Sequence, residues 1–139
     1  MTQLDSYLFF DGQCAEAIRF YERVLGAKLE MMMTYAESPT PHMCPANSGD
    51  RIMHARLVVD GRYLMASDVP AGQPNQMQGF SLSLIYPTAG EARRIFDALA
   101  NGGKVTMPMT GTFWADAYGM LTDRFGTPWM VGGGMRDPS

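Results

Sequence analysis

The chain has 139 residues, 46% hydrophobic and 18% charged, with 13 Met beside 2 His and 2 Cys. That length suits a single domain able to bury a sizeable core, and a net charge of −3 leaves no basic footprint for nucleic acid or an anionic membrane. No apolar run nears the ~20 residues of a membrane-spanning helix, and the opening MTQLDSYLFFDGQC lacks the basic-then-apolar order of a signal peptide.

The first element is a strand: Leu4 and Ser6–Phe10, ending at the turn pair Asp11-Gly12. A helix follows, because Cys14, Ile18, Tyr21 and Leu25 recur at helical spacing, widened by Ala17 and Val24, until Gly26 stops it. Ala27–Tyr35 is extended, and residues 36–51, with three prolines, form a long loop. Ile52–Val59 and Arg62–Ser67 flank Asp60-Gly61, which predicts a hairpin with a type I′ turn. A second loop covers residues 68–78. Phe80–Tyr86 is then a strand, and Thr88 caps a helix whose Ala89, Ala92, Phe96 and Leu99 form its stripe before Gly102-Gly103. Lys104–Met107, about Ala115–Thr122 and Pro128–Val131 complete the strands, and Gly132–Gly134 is expected to be a flexible tail.

The halves repeat. SYLFFDGQCAEAIRFYER from Ser6 overlays SLSLIYPTAGEARRIFDA from Ser81 without a gap, matching Glu16 with Glu91, Ala17 with Ala92 and Arg19 with Arg94. Duplication predicts an α+β fold of two βαβββ modules, about 4–68 and 79–132, whose curved mixed sheets enclose a cleft within one domain. The chain resembles the vicinal oxygen chelate superfamily, which includes glyoxalase I, bleomycin-resistance proteins and extradiol dioxygenases. Its segments YLFFDGQCAEAIRFYERVLGAKL, HARLVVDGRYLMASD and TFWADAYGMLTDRFGTPWMV are similar to the PhnB-like branch, also labelled 3-demethylubiquinone-9 3-methyltransferase-like. FYERVLG marks only the fold, whereas the run from Phe113 to Trp129 is specific to the branch.

The resemblance implies a divalent metal held by two ligands from each module, at approximately Ser6, Met65, Phe80 and Met130. None of these is a ligand for a hard or borderline ion, so no metal and no other cofactor is expected. A rearranged set from His54, Cys44, Glu30 and Asp68 would support the alternative, a metal-dependent lyase or dioxygenase. The methyltransferase label meets a physical objection: the strand-to-helix turn Asp11-Gly12-Gln13 has one glycine, without the glycine-rich pattern of an adenosylmethionine fold.

The candidate ligand-binding residues are His54, Met65, Phe80, Trp114, Tyr118 and Met130, with Met53 as a further apolar contributor. His54 alternates with Arg56 and Val58 on one strand face and can orient a ligand or move a proton near neutral pH. Trp114 and Tyr118 offer stacking surfaces, and unbranched methionines mould to irregular walls. Asp116 is expected on the solvated surface, and Asp123-Arg124-Phe125-Gly126 to shape a hairpin. His42 and Cys44 share a loop but lack a third orienting group, so no nucleophile is assigned. Without an export signal, Cys14 and Cys44 read as reduced thiols of a cytoplasmic protein. The reading is a metal-independent, small-molecule-binding homodimer with no nucleic-acid or membrane partner. A scaffold dimer that has lost the use of its cleft is the third possibility.

Overall fold

Alternating burial along short strands, and helical stripes between them, build two similar units. The computed structural model describes residues 2–38, 45–73 and 75–136; His42 and Cys44 lie outside them. The chain divides into Met1–Gln76 and Met77–Ser139. No helix among the described residues is long and apolar enough to cross a membrane.

The first unit runs β1 (Ser6–Phe10), α1 (Cys14–Leu25), β2 (Lys28–Thr34), β3 (Ile52–Val59) and β4 (Arg62–Asp68). Its sheet order is β1-β4-β3-β2, with β1 parallel to β4 and the other pairs antiparallel. Leu8, Phe10, Ala55, Leu57, Leu64 and Ala66 are buried, on the sheet face that receives α1 through Cys14, Ala17, Ile18 and Tyr21. Each large apolar side chain so enclosed contributes about 1.5–3 kcal/mol. Asp60 and Gly61 have φ of 47° and 80°, the two left-handed positions a type I′ turn requires.

The second unit runs β5 (Leu82–Tyr86), α2 (Ala89–Ala100), β6 (Lys104–Thr110), β7 (Ala115–Thr122) and β8 (Pro128–Met135), in sheet order β5-β8-β7-β6. Ala92, Ile95, Phe96 and Leu99 seat α2 on β7 and β8. The Thr88 side chain caps α2 by accepting from the Glu91 N–H at 3.2 Å. The Asp123 carboxylate accepts from the N–H of Phe125 (2.8 Å) and Thr127 (3.1 Å) and from Trp129 Nε1 (2.8 Å). The Asp123–Gly126 motif therefore shapes the β7–β8 hairpin, as expected.

Four expectations change. Gly132–Gly134 is not a tail but part of β8: a side chain at Gly133 would run into the Thr88 carbonyl and the Ala92 methyl, and one at Gly132 would sit 2.8 Å from the Tyr118 ring. These glycines are bare because a helix and an aromatic ring lie directly on the strand. The last strand thus reaches Met135, and β6 continues through Pro108 to Thr110, which an edge strand tolerates. Phe80 precedes β5 rather than lying on it. Finally, the gapless overlay holds for the helices but slips by one in the first strands. Three residues (11–13) link β1 to α1 but two (87–88) link β5 to α2, and after the helix the difference reverses (26–27 against 101–103).

Candidate functional site

The best-equipped surface is the face of the first sheet turned away from α1. Register places Tyr7 beside Met65, Met65 opposite Arg56, Arg56 opposite Met31, and His54 opposite Met33. Because side chains alternate along a strand, all of these project from the side opposite Leu8, Leu57 and Leu64. Tyr7 and Phe9 are 39% and 49% exposed, so β1 presents two aromatic rings there, with centroids 5.1 Å apart.

Tyr7 Oη and His54 Nδ1 share a hydrogen bond of 3.0 Å, and their rings stack with centroids 5.6 Å apart. Burial first, and the neighbouring Arg56 guanidinium second, lower the His54 pKa from its ordinary 6.5; both disfavour the imidazolium, so His54 is neutral at pH 7. Arg56 lies with Cζ 5.2 Å from the Tyr63 ring centroid, a cation–π distance. Its Nε is 3.0 Å from Glu30 Oε1 but lacks the alignment of a hydrogen bond. Glu30 reaches it because β2 carries an extra residue there: Leu29 pairs with Leu57 and Met31 with Arg56, leaving Glu30 as the bulge. Bulges re-aim side chains in this way. A second bulge, between Met33 and Thr34 in the register, leaves Met53 as the extra residue on β3.

In the second unit Met130 lies beside Ser83 and opposite Met120, and Tyr118 lies opposite Gly132. Tyr118 is 9% exposed because its ring covers that glycine. Trp114 packs edge-on against Tyr118 at 5.6 Å and Phe113 at 4.8 Å, leaving Phe113 76% exposed. Asp116 is exposed and paired with Arg136, whose Nε donates to it at 3.0 Å.

Met65 and His54 therefore share one face of the first sheet, while Met130, Tyr118 and Trp114 belong to the second unit, and Phe80 stands outside its sheet. Ser6 is paired with Leu64 and donates to the Tyr63 carbonyl at 3.4 Å; Tyr7, not Ser6, flanks Met65. Tyr7, Arg56, Tyr63 and Phe9 are not among the site residues expected from sequence, and Glu30 enters there only in the rearranged metal set. Arg56 was within reach, since it alternates with His54. Tyr7 was not, because β1 is apolar or aromatic on both faces and its phase is silent.

The metal implied by the resemblance does not fit these residues. The positions beside each other are Tyr7 with Met65 and Ser83 with Met130, and none offers a carboxylate or imidazole. Asp68, a member of the rearranged set, is engaged elsewhere. Its Oδ1 accepts from Gly12 N (2.8 Å) and Cys14 N (3.0 Å), and its Oδ2 from Ile52 N (2.9 Å). Among the described residues, no three His, Cys, Asp or Glu side chains gather as a metal site. Cys14 is buried, and burial first and Asp68 second push its thiol pKa far up, so it is not a nucleophile.

Residues 3–131 match the family described as the Glyoxalase/Bleomycin resistance protein/Dioxygenase superfamily. The chain is 38% identical over 137 residues to Protein YjdN of Escherichia coli (strain K12), covering 92% of each. Protein PA1353 from Pseudomonas aeruginosa superposes with a TM-score of 0.88 at 47% identity, covering 96% of this chain and 98% of that one. A putative 3-demethylubiquinone-9 3-methyltransferase, PhnB protein, from Bacillus cereus shares the fold at a TM-score of 0.80 and 23% identity, over 95% and 99% of the chains.

Proposed function

The chain belongs to the Glyoxalase/Bleomycin resistance protein/Dioxygenase superfamily, and from that premise we propose a metal-independent, small-molecule-binding protein that works as a homodimer. The observation that carries the binding reading is the helix-free face of the first sheet. Polar groups (the Tyr7–His54 pair and Arg56) converge there among Met31, Met33, Met65 and Phe9. A small number of oriented polar groups in apolar surroundings is the usual make-up of a ligand site. The donor chemistry beside Met65 and Met130 favours binding over metal-assisted lyase or dioxygenase chemistry. A methyltransferase reading gains nothing from the β1–α1 turn, where the Gly12 and Cys14 N–H groups already donate to Asp68. The homodimer rests on β1 and β5 being the terminal strands of their sheets, with no strand paired beyond them among the described residues, and on exposed Phe9, Phe80 and Ile85, which give a second copy something to cover.

Three measurements test this. Both tryptophans, Trp114 and Trp129, belong to the second unit, so a fragment screen is best read by NMR of labelled methionine methyls. Saturable shifts at Met31, Met33 and Met65 are expected, and a library without any saturable binder removes the binding reading. Metal analysis of purified protein is expected to find no stoichiometric Ni, Zn, Mn or Fe, and any of these at one per chain overturns metal independence. Sedimentation at micromolar protein is expected to show a dimer; monomer alone refutes that part.

A further inference from the structure

The ligand's chemical class follows from what the face around Arg56 leaves unused, an inference that rests on the binding reading above. Arg56 is held in place from two sides: Tyr63 lies against the guanidinium plane, and Glu30 stands at its Nε edge. Among the described residues nothing accepts from Nη1 or Nη2, although the side chain is 40% exposed. Nε itself is buried without an aligned acceptor. An oriented guanidinium with an idle fork is a receptor for two parallel oxygens. His54, two residues away on the same strand, stands roughly 7 Å off at Cα. In the tautomer in which the Tyr7 phenol donates to Nδ1, the neutral ring carries its proton at Nε2, and this second group also offers a donor. The neighbours along the register, Met31, Met65 and the Tyr7 and Phe9 rings, are flat or pliable and apolar.

We propose that this face binds a planar monocarboxylate with an apolar body, its two oxygens taken by the Arg56 fork and the His54 ring N–H. Glu30 neutralises Arg56 as a pair, so recognition depends on the directed fork and not on bulk positive charge. That disfavours polyanions and leaves a single carboxylate as the matching partner. His54 binds here, and Glu30 and Tyr63 are positioning residues.

Calorimetric titration with benzoate and with benzamide, its uncharged isostere, tests the assignment on the full-length protein. Benzoate is expected to bind about tenfold or more tightly than benzamide, the worth of a charge-assisted pair. Arg56→Gln should weaken benzoate by a similar factor and leave benzamide unchanged. Arg56→Lys keeps the charge without the fork and should recover only part of the loss. A thermal melt matching the native protein establishes that each variant is folded, as expected for a half-exposed side chain. Equal affinity for the two probes, benzoate binding that survives Arg56→Gln, or no saturable response to benzoate overturns the carboxylate assignment. The fragment screen decides separately whether the face binds anything else, so the two readings fail independently.

Discussion

The two units fasten the same helix to the same sheet by opposite means. In each, the parallel pairing with the first strand ends beneath the helix N-terminus, at Asp68 opposite Phe10 and at Gly133 opposite Tyr86. In the first unit Gln13 gives α1 no side-chain cap. The buried Asp68 carboxylate, 54 residues away in the chain, instead takes the Cys14 N–H together with those of Gly12 and Ile52. In the second unit Thr88 caps α2 locally, and Gly133 has no side chain because the Thr88 carbonyl and Ala92 lie against it. A helix end must have its free N–H groups satisfied. Whether the acceptor comes from the helix or from the sheet decides whether the strand beneath needs a carboxylate or needs nothing.

The exposed chemistry diverges in parallel. Tyr7, Glu30, His54 and Arg56 in the first sheet have Ser83, Thr106, Tyr118 and Met120 at the matching register positions of the second. Thr106, like Glu30, is the extra residue between two paired neighbours. Duplication kept the bulge and changed what it aims. One copy therefore presents oriented polar groups, and the other presents a methionine and a tyrosine folded down over glycine.

The strongest way to break the helix comparison is Asp68→Ala. It leaves three N–H groups without an acceptor and is expected to cost about 3 kcal/mol or more, read as a lower urea midpoint; a loss under about 1 kcal/mol would remove Asp68 as the fastening. Next comes Gly133→Ala, whose methyl meets backbone and is expected to cost about 2–3 kcal/mol. If the variant melts with the native protein, α2 does not rest on that strand. Thr88→Ala is expected to cost about 1 kcal/mol, an ordinary cap. Conversely, Gln13→Thr on the Asp68→Ala background should restore no more than about 1 kcal/mol, because the Ile52 N–H still lacks its acceptor; full recovery would show the two fastenings to be interchangeable.

The smallest effect is a pH slope. The folded state holds His54 below its ordinary 6.5, so between those values the unfolded chain binds more protons. Stability from this group is then present above 6.5 and declines as pH falls through the folded pKa. Comparing melts of the native protein and His54→Gln across pH 5–8 checks this: the variant should lack that part of the slope. An identical slope in both would show that burial and the Arg56 charge do not hold the ring neutral.

Much of this architecture was legible. The stripe from Cys14 to Leu25, the Asp60-Gly61 hairpin, the Thr88 cap and the Asp123–Gly126 turn are each set by neighbours a few residues apart, so spacing alone reveals them. His54 is legible as a face residue because β3 alternates, whereas Met65 comes from a position that the resemblance implies. The phase of β1 is not legible, since Tyr7, Leu8, Phe9 and Phe10 are all apolar or aromatic, and the position that the resemblance implies at approximately Ser6 falls, by register beside Met65, at Tyr7. Gly132–Gly134 looked like a tail because a glycine required by close approach reads like one permitted by looseness.

The sequence by itself determined the βαβββ order of each half through local periodicity, while motif resemblance carried the family and, as an expectation from it, the metal positions near Ser6, Met65, Phe80 and Met130. Only the tertiary structure decided that Asp68 belongs to a helix end, that Glu30 orients Arg56, and that Tyr7 meets His54 47 residues away. Those pairings depend on strand register and on a single-residue bulge. Register is set by long-range packing, and one residue of slip turns every side chain to the other face.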